Sequence, residues 1–131
     1  MPVHVCEDGC PRKHRAALGR AFRITKRAVK IFGRWSDLDI TVCCVPDDGD
    51  YAGLEWDRYQ YNEVTLAMRP KGLGADIKET VVHELAHLLL LPLTSFVNKM
   101  APSGTRRGLD HLEEQVVCHL EPLLVELVDG V

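Results

Sequence analysis

The chain has no apolar run approaching the 18 or so residues that a membrane-spanning helix needs, and none is expected to enter a bilayer. Its first 20 residues are charged throughout and contain no apolar core of a secretory leader, so no leader is expected either. Internal repeats and low-complexity stretches are lacking. So is a strong excess of charge of one sign. Lys and Arg total 16 against 19 Asp and Glu, for a net charge of −3, which makes no case for nucleic-acid binding. What remains is an ordinary soluble composition, 46% hydrophobic and 27% charged. A length of 131 residues predicts one domain over 1–131. A chain of that size buries about two-thirds of its unfolded surface.

Five cysteines, an odd number without a leader, are expected to be reduced thiols in a cytoplasmic protein. Cys43 and Cys44 are neighbours on an expected strand and point to opposite faces. Cys118 reads as a small core residue. Cys6 and Cys10, spaced Cys-x-x-x-Cys-x-x-x-His with His14, leave three options open: a second structural metal, a disulfide between the two, or plain thiols.

Hydrophobic periodicity predicts an amphipathic helix over residues 12–32, ended by Gly33. Residues 38–45 are rich in β-branched side chains and read as a strand. Residues 51–56 and 63–69 read as two more, joined around 57–62. A turn at 70–74 leads into a second helix, which Asp76 can cap with Glu79 three residues on. Pro92 is expected to stop that helix after Leu91, with a polar loop over 94–108 and a last helix from Asp110. The expected fold is α+β: an N-terminal helix, a small three-stranded, mainly antiparallel sheet, and two further helices.

The chemistry concentrates in His83-Glu84-Leu85-Ala86-His87. On an α-helix, residues i and i+4 share a face. Two neutral imidazoles placed so can hold one Zn2+, and Glu84 then sits where it can take a proton from a water at the metal. From Val81 to Leu91 the only polar side chains are His83, Glu84 and His87. Burying those three without partners would cost several kcal/mol, roughly 1–3 for each neutral group and more for the charge.

A catalytic zinc usually has three protein ligands and one open position. The third donor is sought on the last helix, whose apolar stripe is Val116, Val117, Leu120, Leu123 and Leu124. Glu113 lies in phase with that stripe. Glu114 lies about 100° round, at its edge. Periodicity slightly favours Glu113 and leaves Glu114 open.

His83-Glu84-x-x-His87 followed by a Glu on a later helix resembles the gluzincin arrangement of zinc metallopeptidases. It is more similar to the small zincins of phage or ImmA/IrrE type. The resemblance covers the second half of the chain well and the first half only in outline. It implies a zincin-like domain and a peptidase acting on a peptide or protein substrate. It also implies Zn2+ held by His83, His87 and Glu114, and a metal-held water attacking with Glu84 as general base. Two alternatives remain: a zinc-bearing binding or assembly module that cleaves nothing, and a hydrolase of another amide or ester. Leu90 and Leu93 replace the Gly and His of the metzincin extension, so that branch is excluded. The Asp that thermolysin-like enzymes place four residues after the ligand Glu is absent. Val117 and Cys118 stand there, so the first histidine must be oriented from elsewhere. Peptidases of this kind pair an extended substrate with a sheet edge, and strand 63–69 is the expected edge. Tyr61, Arg106, Arg107 and His111 are candidate oxyanion donors. Oligomeric state is not encoded in any pattern here.

Overall fold

The computed structural model describes residues 3–32, 39–56, 63–100 and 105–129. Strand β1 (Val3–Cys6) leads through a 3-10 turn at Arg12–His14 into helix α1 (Arg15–Phe32). Strands β2 (Asp39–Cys44), β3 (Ala52–Trp56) and β4 (Glu63–Met68) follow. A second 3-10 turn, Pro70–Leu73, precedes helix α2 (Ile77–Met100), and α3 (Arg106–Leu127) ends the fold. No helix among the described residues is long and apolar enough to cross a membrane.

The α+β class is as expected, but the sheet is not. Among the described residues it has four strands in the order β1-β2-β4-β3. β1 pairs with β2 in parallel, β2 with β4 in parallel, and only β3 and β4 are antiparallel. The sheet is therefore mixed, in place of the three-stranded, mainly antiparallel one. Parallel neighbours need a long crossover, and α1 provides it between β1 and β2. β4 is paired on both sides, so it cannot be the edge that receives a substrate strand. Among the described residues the edges are β1 and β3.

One sheet face is packed. Ile40, Val42, Val64, Leu66 and Met68 are buried there against Leu18, Ala21, Ile24 and Ala28 of α1 and Val81, Val82, Leu85 and Leu88 of α2. Within α1, the Thr25 hydroxyl donates to the Ala21 carbonyl at 2.8 Å, which satisfies a polar group that has no access to water. Entry to α2 runs through Asp76, whose carbonyl accepts the Thr80 N–H at 2.9 Å, the first bond of the helix.

Two boundaries depart from expectation. α2 does not stop at Pro92 but continues to Met100, so the expected loop over 94–108 is helical for much of its length. α3 correspondingly begins at Arg106. A proline removes one N–H and crowds one carbonyl. The helix nevertheless runs on beside α3. Leu90, Leu93 and Val97 meet Leu109, Leu112 and Val116 around an apolar cavity of about 180 Å³.

Candidate metal centre

α2 turns its apolar residues to the sheet and α1, and His83, Glu84 and His87 to the other side, where all three are half-buried. The two imidazoles sit edge to face, with ring centroids 5.2 Å apart and planes at 70°. α3 lies across them. It is anchored by Val117, Leu124 and Val128, which are buried in the core.

The packing brings three carboxylates of α3 to the two rings. Glu114 reaches both Nε2 atoms: Oε1 is 2.8 Å from His83 and Oε2 is 3.1 Å from His87. Each Nδ1 faces a different carboxylate. Glu113 Oε2 is 3.0 Å from His87 Nδ1, and Glu121 Oε2 is 3.4 Å from His83 Nδ1. Glu113 and Glu114 thus take distinct places, one behind a ring and one in front of both. Glu121 was not singled out by the sequence reading. Its signal was its spacing, seven residues after Glu114 and so on the same helix face.

Glu84 borders the same cleft. Its carboxyl is pushed above the usual glutamate range, first by burial and then by the charge of Glu114, while His87, His83 and Arg69 pull the other way. Arg69 follows β4 and is an unforeseen cationic neighbour of the site. Its Nε lies 2.7 Å from Asp48 Oδ1, an ion-pair distance, though the N–H is not aimed along a hydrogen bond. The cleft has a volume of about 520 Å³ and is bordered on its far side by Tyr51 and Ala52 at the start of β3.

Several other expectations find a definite place. Arg107 and His111 are exposed on the first turns of α3 and do not line this cleft. Tyr61 lies outside the described residues, as does the side chain of Arg106. Cys118 is exposed and not a core residue, because α3 turns it away from the sheet; its Sγ is 3.9 Å from Glu114 Oε1. Cys6 and Cys10 do not pair with each other. Cys10 meets Cys44 instead, and among the described residues neither Cys6 nor Cys10 joins a three-donor metal group.

The donor set suits a borderline ion such as Zn2+, which takes imidazole nitrogen, carboxylate oxygen and thiolate sulfur. Two donors at about 2.0–2.2 Å from one tetrahedral ion stand about 3.4 Å apart. The observed 2.8 and 3.1 Å contacts fall short of that by a few tenths of an ångström. Glu114 is thus the carboxylate that faces both Nε2 atoms. Among the described residues, the three-donor group whose atoms all lie within 4.8 Å of one another is His83, Glu114 and Cys118; for His87 to share an ion with His83 and Glu114 the two imidazoles must close on one point. Glu114 engages both rings from the side opposite their Nδ1 partners.

No protein-family model, curated protein or solved structure is detectably similar to this chain.

Proposed function

We propose that the protein is a zinc-dependent hydrolase of zincin type, with a peptide or protein as substrate. In this reading His83, His87 and Glu114 hold the metal and Glu84 is the general base. The observation that carries it is the division of the imidazole nitrogens: both Nε2 atoms converge on one carboxylate, and each Nδ1 has a carboxylate of its own. A histidine that ligates through Nε2 commonly donates Nδ1–H to such a partner, which fixes its tautomer and raises its basicity. Two surface ion pairs have no need of that outer layer.

When bound, the ion would polarise the scissile carbonyl and lower the pKa of attacking water towards about 7. The chain's own residues do the rest. Glu84 accepts the proton of the attacking water and delivers it to the leaving amine. Glu113 and Glu121 keep the rings from swinging. Edge strand β3, whose first residue Ala52 borders the cleft, has one side unpaired among the described residues, and an extended peptide can add to it as a further strand. That role passes from β4 to β3.

The decisive experiment combines metal content with turnover of a peptide library. Wild-type protein is expected to bind one zinc and to cleave. Glu84→Gln should retain the metal and lose cleavage by about 10²–10⁴-fold. Undiminished turnover in that variant removes Glu84 from the mechanism, and failure of the wild type to bind zinc removes the reading altogether.

Cys118 supports one alternative. A thiol beside Glu114 can close the site as a fourth ligand, which gives a structural zinc and a binding or assembly module. Cys118→Ser separates the two. A catalytic site keeps its zinc affinity, whereas a closed site loses it steeply.

A further inference from the structure

Four cysteines gather at the end of the sheet where β1 and β2 finish. Cys6 ends β1, Cys10 lies between β1 and the turn into α1, and Cys43 and Cys44 end β2. The parallel register sets Cys6 beside Cys43. Alternation puts Cys44 on the opposite face, the side of Ile40 and Val42, where it packs against the core. Cys10 meets it there. The chain reverses at Gly9 with a φ of 73°, and the Cys10 N–H is held by the Glu7 carbonyl at 3.0 Å. The Cys10 side chain is directed inward and is only 5% exposed.

The two sulfurs are 2.7 Å apart. Sulfur is a large atom, and a thiol is a weak donor. A contact this short leaves little more to be gained than a covalent bond of about 2.05 Å. The pair is also alone: among the described residues no His, Cys, Asp or Glu joins the two as a third donor in a metal group. That argues against a shared ion and for a bond between the sulfurs themselves.

We propose that Cys10 and Cys44 are a disulfide-forming pair, and that the bond staples the turn before α1 to the end of β2. The reaction balances with glutathione disulfide as oxidant. Cys44, half-buried and the more accessible sulfur, loses its proton and attacks one glutathione sulfur. The glutathione S–S bond breaks and one glutathione thiolate leaves. Cys10 then loses its proton and attacks the Cys44 sulfur of the mixed disulfide, which expels the second glutathione thiolate. Two protein thiols are oxidised by two electrons, one glutathione disulfide is reduced to two glutathione thiols, and the two released protons end on them.

The surroundings set the rate. Burial, then the hydrogen bond with Cys10, pushes the Cys44 thiol up to about 12. The attacking thiolate is scarce at neutral pH, so closure is slow there and accelerates as pH rises. This pair belongs to a structural clamp rather than to a fast sensor. The bond would tie β1 and α1 to the strand that pairs with β4, at the end where β4 leads into Arg69.

The test uses the full chain with Cys6→Ser and Cys43→Ser, which leaves Cys10, Cys44 and exposed Cys118. The protein is incubated with glutathione disulfide, alkylated without reduction, digested and analysed by mass spectrometry. The expected result is a Cys10–Cys44 cross-linked peptide and a higher melting temperature that dithiothreitol reverses. Closure should be faster at pH 9 than at pH 7. Adding Cys10→Ser or Cys44→Ser should abolish both the cross-link and the shift. Peptide mapping of the oxidised wild-type chain must give the same linkage, so the result does not depend on the variants folding. Glutathione on Cys118 with Cys10 and Cys44 both still alkylated overturns the proposal. So does a wild-type cross-link that joins Cys6 to Cys10 or to Cys43. The readout involves neither zinc nor hydrolysis, so it stands or falls apart from the metal reading.

Discussion

Truncating Glu121 to Ala tests whether the outer carboxylates of α3 serve the two imidazoles. Glu121 does not face either Nε2 atom, and Ala keeps the helix intact. Loss of an outer partner of a metal-ligating histidine typically weakens metal affinity by about 10–100-fold, which is about 1.4–2.7 kcal/mol. The geometry orders the variants within that range. Glu121 stands 3.4 Å from His83 Nδ1, at the long end of hydrogen-bond reach, and its side chain is 25% exposed. Glu121→Ala should therefore cost about tenfold. Glu113 stands 3.0 Å from His87 Nδ1, so Glu113→Ala should lie nearer a hundredfold. Glu114→Ala removes the group that faces both Nε2 atoms and should exceed either. The assay is a zinc titration in competition with a chromophoric chelator, at one pH, on variants whose helical signal matches the wild type. Equal affinities for wild type, Glu113→Ala and Glu121→Ala would refute the outer-partner argument. A Glu114→Ala loss smaller than the other two would refute the assignment of the third ligand.

Other consequences follow from packing. Leu85 lies between the two histidines in sequence but is fully buried in the core, so Leu85→Ala should cost about 2–5 kcal/mol in urea denaturation and leave the zinc affinity of the folded protein unchanged. Gly72 is buried with the Tyr51 carbonyl pressed against it, and a Cβ there would collide with that backbone. Gly72→Ala should destabilise by about 1–3 kcal/mol and, because Tyr51 borders the cleft, also impair peptide cleavage; unchanged stability would mean the two segments part freely. Pro122 interrupts the hydrogen bonding of α3 on its exposed side, so Pro122→Ala should raise stability by about 1–3 kcal/mol, read from the urea midpoint. A lower midpoint would show that the ring makes contacts worth more than the missing N–H.

Much of the secondary structure was legible because it rests on short-range rules. α1 lies where its 3.6-residue apolar period lies, and β2, β3 and β4 lie within a residue or so of the β-branched runs. β1 was missed although Val3-His4-Val5-Cys6 alternates apolar and polar side chains, because four residues are too few to stand out without a partner strand. Pro92 does not end α2. A single missing N–H is a local loss, and α2 runs on past it to Met100 beside α3. The parallel pairing of β2 with β4 could not be read at all, since strand direction is set by where the chain crosses and not by the residues that cross.

The sequence by itself determined that two imidazoles and a carboxylate share one side of a helix, since a 3.6-residue turn is a property of the backbone. It also determined that a glutamate-rich helix follows. Only the tertiary structure decided which carboxylate meets which nitrogen. Glu113 and Glu114 differ by 100° about α3, so the roll of α3 against α2 alone puts one behind a ring and the other before both. The same roll brings in Glu121, and the β1–β2 crossover brings Cys10 to Cys44. Such distant pairs follow from how helices and strands pack, and no local rule fixes that packing.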